Sequence, residues 1–259
     1  MNHPPLPPGA PPGFGEEDRP DRRLLSGVRL PRQARSRASF NRMVASAMDL
    51  IAEEGLEGAT VQEILSRSGT GAGTFYARFD GRDALLAYLA TQFWEDTGDG
   101  WESVLAPARW SAAGVREIVG QFTRMLVLWS RAHGSLLRAF LVHAMSHPEP
   151  WLLDRTAELD NRVADYLIEL LLARSDELGH PDPEQAVRVA TLQVFATLRS
   201  RYIFSWGVRE DGIEDDDLAS ELATGFLRYL GLADIDHPGR PGADLGARAG
   251  GAHLRNEPD

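Results

Sequence analysis

The side chains best placed for chemistry lie close together in the chain. They are Gly71, Ala72, Gly73, Thr74, Tyr76 and Arg78, with Arg82 just beyond them and Arg42, Thr60 and Gln62 before them. These are residues for holding a polyanion rather than for bond-making. A guanidinium offers a rigid fork of donors that matches a guanine edge or two phosphate oxygens. Alanine and the threonine methyl can press on thymine methyls, a tyrosine hydroxyl can donate to phosphate, and a glycine admits another backbone closely. The expected roles follow from those types. Arg78 forks onto a guanine or clamps phosphate, Ala72 and Thr74 meet thymine methyls, Tyr76 donates to phosphate and Gly73 marks the closest approach. Thr60 and Gln62 reach a phosphate or a flanking base, and Arg42 and Arg82 are phosphate-clamp candidates at opposite ends of the unit.

Two short helices joined by a glycine turn would have to position these groups. Thr60 precedes Glu63 by three residues, the spacing at which hydroxyl and carboxylate cap each other's amides and start a helix. Val61, Ile64 and Leu65 give that helix a buried side, and Gly69 stops it. In the second helix Phe75 and Phe79 share the inward face, which turns the polar and small residues between them outward.

The run G-T-G-A-G-T-F-Y-A-R-F-D-G-R-D-A-L, Gly69 to Leu85, resembles the turn and recognition helix of the tetracycline-repressor (TetR) family of bacterial regulators, with the likeness extending from Arg37 to Leu86. The resemblance implies an all-α protein with an N-terminal three-helix DNA-binding unit and a larger helical domain that dimerises and binds a small-molecule inducer. The family often reads S-K-G-T-L-Y-H-H-F where this chain has Gly71 to Phe79. Gly71 and Ala72 therefore replace polar positions and leave Arg78 as the sole long donor of that helix. One consequence is that arginines 29 to 37 could act as an arm sensing minor-groove width, the other reading being a solvated basic tail. An alternative for the whole chain is a helical interaction or ligand-binding protein that has lost sequence-specific DNA binding.

Composition agrees with a regulator and excludes several other classes. The net charge of −11 is unevenly spread: residues 1 to 27 carry −1, residues 28 to 82 carry +2 and residues 83 to 259 carry −12. Arg29, Arg32, Arg35, Arg37 and Arg42 fall in a stretch without an acid, suited to phosphates. All 27 basic residues are arginine, which is the usual mark of a GC-rich coding sequence and still supplies forked donors. With no cysteine, disulfides, thiolate metal sites and cysteine nucleophiles are out. A nucleophile elbow, a phosphate loop and a nucleotide fingerprint are missing from the sequence, so an enzyme is not expected and no cofactor is implied. There is no apolar run of about 18 residues, so no membrane span is expected and the cytoplasm is the expected compartment.

The chain divides into a Pro-rich tail expected to be disordered (1–30), the DNA-binding unit (31–81), a helical ligand-binding and dimerisation domain (82–232) and a second disordered tail (233–259). Phe40, Met43, Val44, Ala47, Leu50 and Ile51 stripe the first helix, which Gly55 ends. A fourth helix from Arg82 toward Gly98 connects the domains. Helices are then expected over 112–131, 134–145, 149–174, 183–206 and 214–230, broken at Gly134, Pro148, Pro181 and Gly212, for about nine in all. The last two carry the stripes Val187, Thr191, Val194, Leu198 and Leu218, Leu222, Phe226, Tyr229, with Gly225 allowing close approach. The resemblance implies that this pair forms the homodimer interface; the alternative is an internal core face.

For the inducer, the resemblance implies a cavity among the middle helices. The sequence offers Phe93, Trp94, Phe122, Met125, Trp129, Phe140, Trp151 and Phe195 as lining, which suits a hydrophobic or aromatic molecule, with Arg124, His143, Asn161, Gln193 and Arg199 to orient a polar group. The same aromatics at helical spacing also read as plain core. His143 and His147 share a helix face, but nothing completes a metal site around them, and the acids from Glu214 to Asp217 read as helix-start chemistry.

Overall fold

The computed structural model describes residues 27–146, 151–204 and 212–232. The expectations for residues 1–26, His147, Pro148 and residues 233–259 lie outside these. Among the described residues the fold is all-α, in eight α-helices: α1 (Ala34–Gly58), α2 (Val61–Ser68), α3 (Ala72–Tyr76), α4 (Arg82–Leu105), α5 (Val115–Ser146), α6 (Trp151–Leu172), α7 (Pro183–Leu198) and α8 (Asp215–Tyr229). Short 3₁₀ turns cover Pro107–Trp110 and Ser175–Glu177, and a π-helical turn, Arg199–Phe204, follows α7 directly.

The expected stripe of α1 is buried in full. Gly55 interrupts that helix with φ 74° and ψ −174°, and the chain makes one further turn to Gly58. Near the chain's middle the glycine reading fails. Gly134 does not separate two helices; it lies inside the single 32-residue α5, which is why the described residues hold eight helices where about nine were expected. A mid-helix glycine costs about 1 kcal/mol against alanine and breaks nothing by itself. Its role here is room: a Cβ at Gly134 would fall 2.6 Å from the carbonyl oxygen of Tyr202 in the π-turn. Likewise α4 runs past Gly98 to Leu105, and a Cβ at Gly98 would sit 2.8 Å from the Arg162 guanidinium.

One hydrophobic core runs from α1 to α8. Helix α5 is its axis, lying against α1, α6, α8 and the π-turn, while α4 packs on α6. This packing consumes most of the two stripes assigned to a dimer. Val187, Thr191, Val194 and Leu198 of α7 and Leu218 and Phe226 of α8 are buried within the one chain; Leu222 is partly covered, and Tyr229 is exposed. Their spacing reported a buried face correctly, but the partner is α5, α6 and each other. The outward side of the pair carries Val189, Leu192, Ala196, Leu222, Gly225 and Tyr229.

A polar cluster fixes the start of α8 to the rest. The Tyr202 hydroxyl donates to Asp215 Oδ1 at 2.6 Å, Arg131 of α5 pairs with Asp215 Oδ2, and Arg201 donates to the Ile213 carbonyl at 2.6 Å. Burial and the bond to Asp215 push the Tyr202 phenol up to about 12. Burial also raises the Asp215 carboxyl, but the Tyr202 hydroxyl and Arg131 outweigh it and hold that group below its usual range.

Candidate functional site

The turn between α2 and α3 is built from short-range bonds. Thr60 Oγ1 accepts from the Glu63 amide at 3.1 Å, as expected of the cap. The reciprocal half is replaced, because the Thr60 amide donates to the Gly58 carbonyl at 2.8 Å. Gly69 takes the left-handed conformation at φ 62° and ψ 35°, and the Thr70 amide closes the helix end by donating to Leu65 at 3.1 Å. Gly71 then opens α3, its carbonyl accepting from Thr74 and Phe75. Regular α-helix lasts five residues, and the chain continues as a turn to Phe79. Phe75 and Phe79 are fully buried with centroids 5.4 Å apart, and Phe79 stacks on Phe40 of α1 at 5.2 Å. That anchoring turns Gly71, Ala72, Gly73, Thr74 and Tyr76 to solvent along one face, with Thr60 and Gln62 also exposed and Arg78 partly covered. A Cβ at Gly71 or Gly73 would meet nothing within 4 Å.

The arginines divide by what already holds them. Among the described residues no hydrogen-bond partner engages the Arg78 guanidinium, so its fork remains available. Arg42 donates through Nε to the Ser68 carbonyl at 3.2 Å, and more loosely to Ala38 and Ser39. Arg82 donates to the carbonyls of Ala59, at 2.9 Å, and Leu56. Both proposed clamps thus already bind the helix ends of the unit itself, and a phosphate would compete with those bonds. Arg67 and Glu53 form a two-bond pair at 2.8 Å that ties α2 to α1.

The N-terminal arm departs from expectation at its base. Val28 and Phe79 form an isolated antiparallel bridge, in which the Arg29 amide donates to the Arg78 carbonyl at 2.7 Å and the Asp80 amide to the Gly27 carbonyl at 2.9 Å. The Arg29 side chain pairs with Asp80 at 2.5 Å. Arg29 therefore clasps the end of the recognition segment instead of reaching outward, while Arg32, Arg35 and Arg37 are exposed. The clasp joins residues about fifty apart in the chain, and no local pattern announces it.

With this geometry in place, residues 44–89 match the sequence profile described as "Bacterial regulatory proteins, tetR family". That segment is similar to the N-terminal segment of this family. The HTH-type transcriptional regulator YvdT of Bacillus subtilis (strain 168) is 30% identical over 70 residues, which is 27% of this chain and 35% of the relative, so the match spans about a third of that protein. The fold is similar to that of a TetR-family regulator from Mesorhizobium loti MAFF303099, with TM-score 0.59, 19% identity and coverage of 76% of this chain and 98% of the other. It is also similar to a tetR-family regulatory protein from Rhodococcus RHA1 (TM-score 0.55, 17% identity, 76% and 98%). A third likeness is to the transcriptional regulator FadR from Bacillus subtilis, solved with stearoyl-CoA (TM-score 0.52, 17% identity, 72% and 97%). Among the described residues no helix is long and apolar enough to cross a membrane.

The larger helical part holds a mainly apolar, partly open cavity of about 60 Å³. Trp129 and Phe195 line it, together with Trp94 and Arg199. Phe93, Phe122, Met125 and Phe140 are instead buried core behind it; Phe93 packs on Trp94 and Trp129 with centroids 4.9 and 6.1 Å away. Asn161 is exposed on the outside of α6, a correction that follows from the turn of helix by which Asp160 and Val163 take the inner face. Gln193 is exposed and Arg124 faces Asp216 at 3.5 Å, so neither lines the cavity. The Trp151 side chain lies outside the described set.

Trp101 and Asp160 are among the lining residues the sequence left unnamed. Asp160 pairs with Arg199 at the cavity wall, both about a quarter exposed, and Arg199 lies over the Phe195 ring at 5.7 Å. Burial raises the Asp160 carboxyl above its usual range against the pull of Arg199. His133, also unnamed, is buried and stacks on Trp129 at 5.0 Å, its Nδ1 proton donated to the Trp129 carbonyl at 2.8 Å.

Proposed function

We propose that the chain is a ligand-responsive, DNA-binding transcriptional repressor that grips a palindrome-like operator as a homodimer. The observation that carries this reading is the exposed face of α3 and its turn, small and polar residues held outward by Phe75 and Phe79 with an unengaged Arg78 among them. Such a face fits a major groove, where Arg78 reads a guanine or a phosphate and the small residues permit contact with thymine methyls. The outward side of α7 and α8, with Leu192 and Tyr229 exposed, supports association of two copies that would present two recognition segments to successive grooves. The cavity supports release by a small, mainly hydrophobic molecule, and a protein of the same fold, FadR, was solved with stearoyl-CoA. A cavity of about 60 Å³ favours something far smaller than a long acyl chain. Ligand binding would release DNA to the extent that affinity differs between the two arrangements of the heads.

Binding to DNA from beside its own gene, titrated with salt, tests this. The expected result is a steep fall of affinity with salt and a large ratio of specific to nonspecific binding. Arg78→Ala should cost about 1 to 3 kcal/mol and relax sequence preference at one position if Arg78 reads a base, or weaken all sequences alike if it holds phosphate. Equal, weak binding to every sequence would overturn the proposal.

A further inference from the structure

Two indole N–H groups in the cavity wall have no acceptor. Trp94 and Trp129 are 4% and 8% exposed, both line the cavity, and neither Nε1 has a hydrogen-bond partner among the described residues. Trp110, by contrast, donates its indole N–H to the Val104 carbonyl at 2.8 Å. A buried donor left unmade is costly, and tryptophans in cores ordinarily find a partner. Both donors are buried and belong to side chains that line one mainly apolar cavity, so an acceptor atom is wanted beside its wall.

We infer that this cavity takes a small, uncharged aromatic molecule bearing a hydrogen-bond acceptor such as an aryl ketone oxygen, and that Trp94 and Trp129 are its specificity-determining donors. The inference rests on the ligand-responsive reading above and names the ligand class. The wall chemistry selects it. Trp94, Trp101, Trp129 and Phe195 present ring faces and edges, which favour an aromatic body. An ammonium-type ligand brings donors only and leaves both indoles unmet. A carboxylate would satisfy them, but it would lose hydration in an apolar wall whose one cationic group among the described residues, Arg199, is already paired with Asp160. Size sets the upper limit. Dry cavities of about 150 Å³ accept benzene, so a cavity of about 60 Å³ must more than double to admit one ring and takes nothing larger. The wall includes Arg199 and Ile203 of the π-turn, and π-helical turns are frequent at functional sites.

Three single-ring probes separate the possibilities in the full-length protein: acetophenone, its apolar counterpart ethylbenzene, and the anion benzoate. Indole N–H resonances of the six tryptophans are followed by nuclear magnetic resonance, with Trp94→Phe and Trp129→Phe both assigning two of them and removing the donors. Acetophenone should move those two resonances and bind roughly tenfold more tightly than ethylbenzene or benzoate, and each Phe variant should shrink the advantage severalfold. If a variant fails to fold, the wild-type comparison of acetophenone with ethylbenzene still decides the matter. Equal affinity for those two probes, preference for benzoate, or no acetophenone binding at millimolar concentration would overturn the inference. DNA binding measured on the same samples keeps the two proposals apart: intact operator binding without acetophenone binding removes this inference alone, and the converse removes the regulator reading alone.

Discussion

Gly73 occupies a helical position where an alanine would be favoured by about 0.5 to 1 kcal/mol, and a Cβ there would touch nothing in the protein. Internal packing therefore gives no reason for the glycine, and a close external surface does. Gly73→Ala should raise the melting temperature while weakening operator binding severalfold; unchanged DNA affinity would remove the close-approach role. Gly27 is the opposite case. Its φ is +82°, and a Cβ there would lie 3.0 to 3.2 Å from atoms of Asp80 and Ala84, which leaves no room for anything larger. Arg42 and Arg82 show how residue type alone misleads. A forked donor suits a phosphate, but it suits a helix-end carbonyl equally well, and both guanidiniums have carbonyl partners within the chain.

At five residues α3 is far shorter than a helix that could persist alone, so its direction depends on what holds its ends. Phe75 and Phe79 hold it from beneath, and the Gly27 to Arg29 clasp holds its exit. Gly27→Val should open the clasp and reduce operator affinity, with helix content by circular dichroism nearly unchanged. Arg29→Ala should cost less than about 1 kcal/mol of stability, since that ion pair is more than half exposed. The Asp215 cluster makes a pH-dependent prediction about α8. Because the folded carboxyl is held below its ordinary value, its stabilisation is complete above the ordinary aspartate range near about 4 and is lost as pH falls through the depressed folded value. Chemical denaturation should therefore find Asp215→Asn less stable than wild type at neutral pH, by roughly 1 to 3 kcal/mol, with the gap closing in acid.

For the whole molecule, the burial of the inner stripes of α7 and α8 moves the expected dimer surface to their outer side. Leu192, 61% exposed, is its most prominent apolar residue. Leu192→Glu should yield a monomer in sedimentation at micromolar concentration and lower operator affinity by uncoupling the two half-site contacts; a persistent dimer would place the interface elsewhere. The uneven charge fits this arrangement, with the net positive segment at the recognition end and the acidic excess in the larger helical part.

The all-α class, the α2–glycine–α3 unit and the outward set around Arg78 were legible in the sequence because caps, glycine stops and 3.6-residue stripes act within a few residues of one another. The same locality set the limit. A stripe says that one face is buried without naming its partner, so the α7 and α8 stripes suit both the dimer surface that the resemblance implies and an internal core face, and α5 and α6 cover them within the chain. Gly134 read as a break because the Tyr202 backbone that requires it lies far along the chain. The Arg29 clasp, the Asp160–Arg199 pair and the two unmet indoles were decided by tertiary structure alone, since each depends on groups brought together across the fold, where packing rather than spacing sets the neighbours.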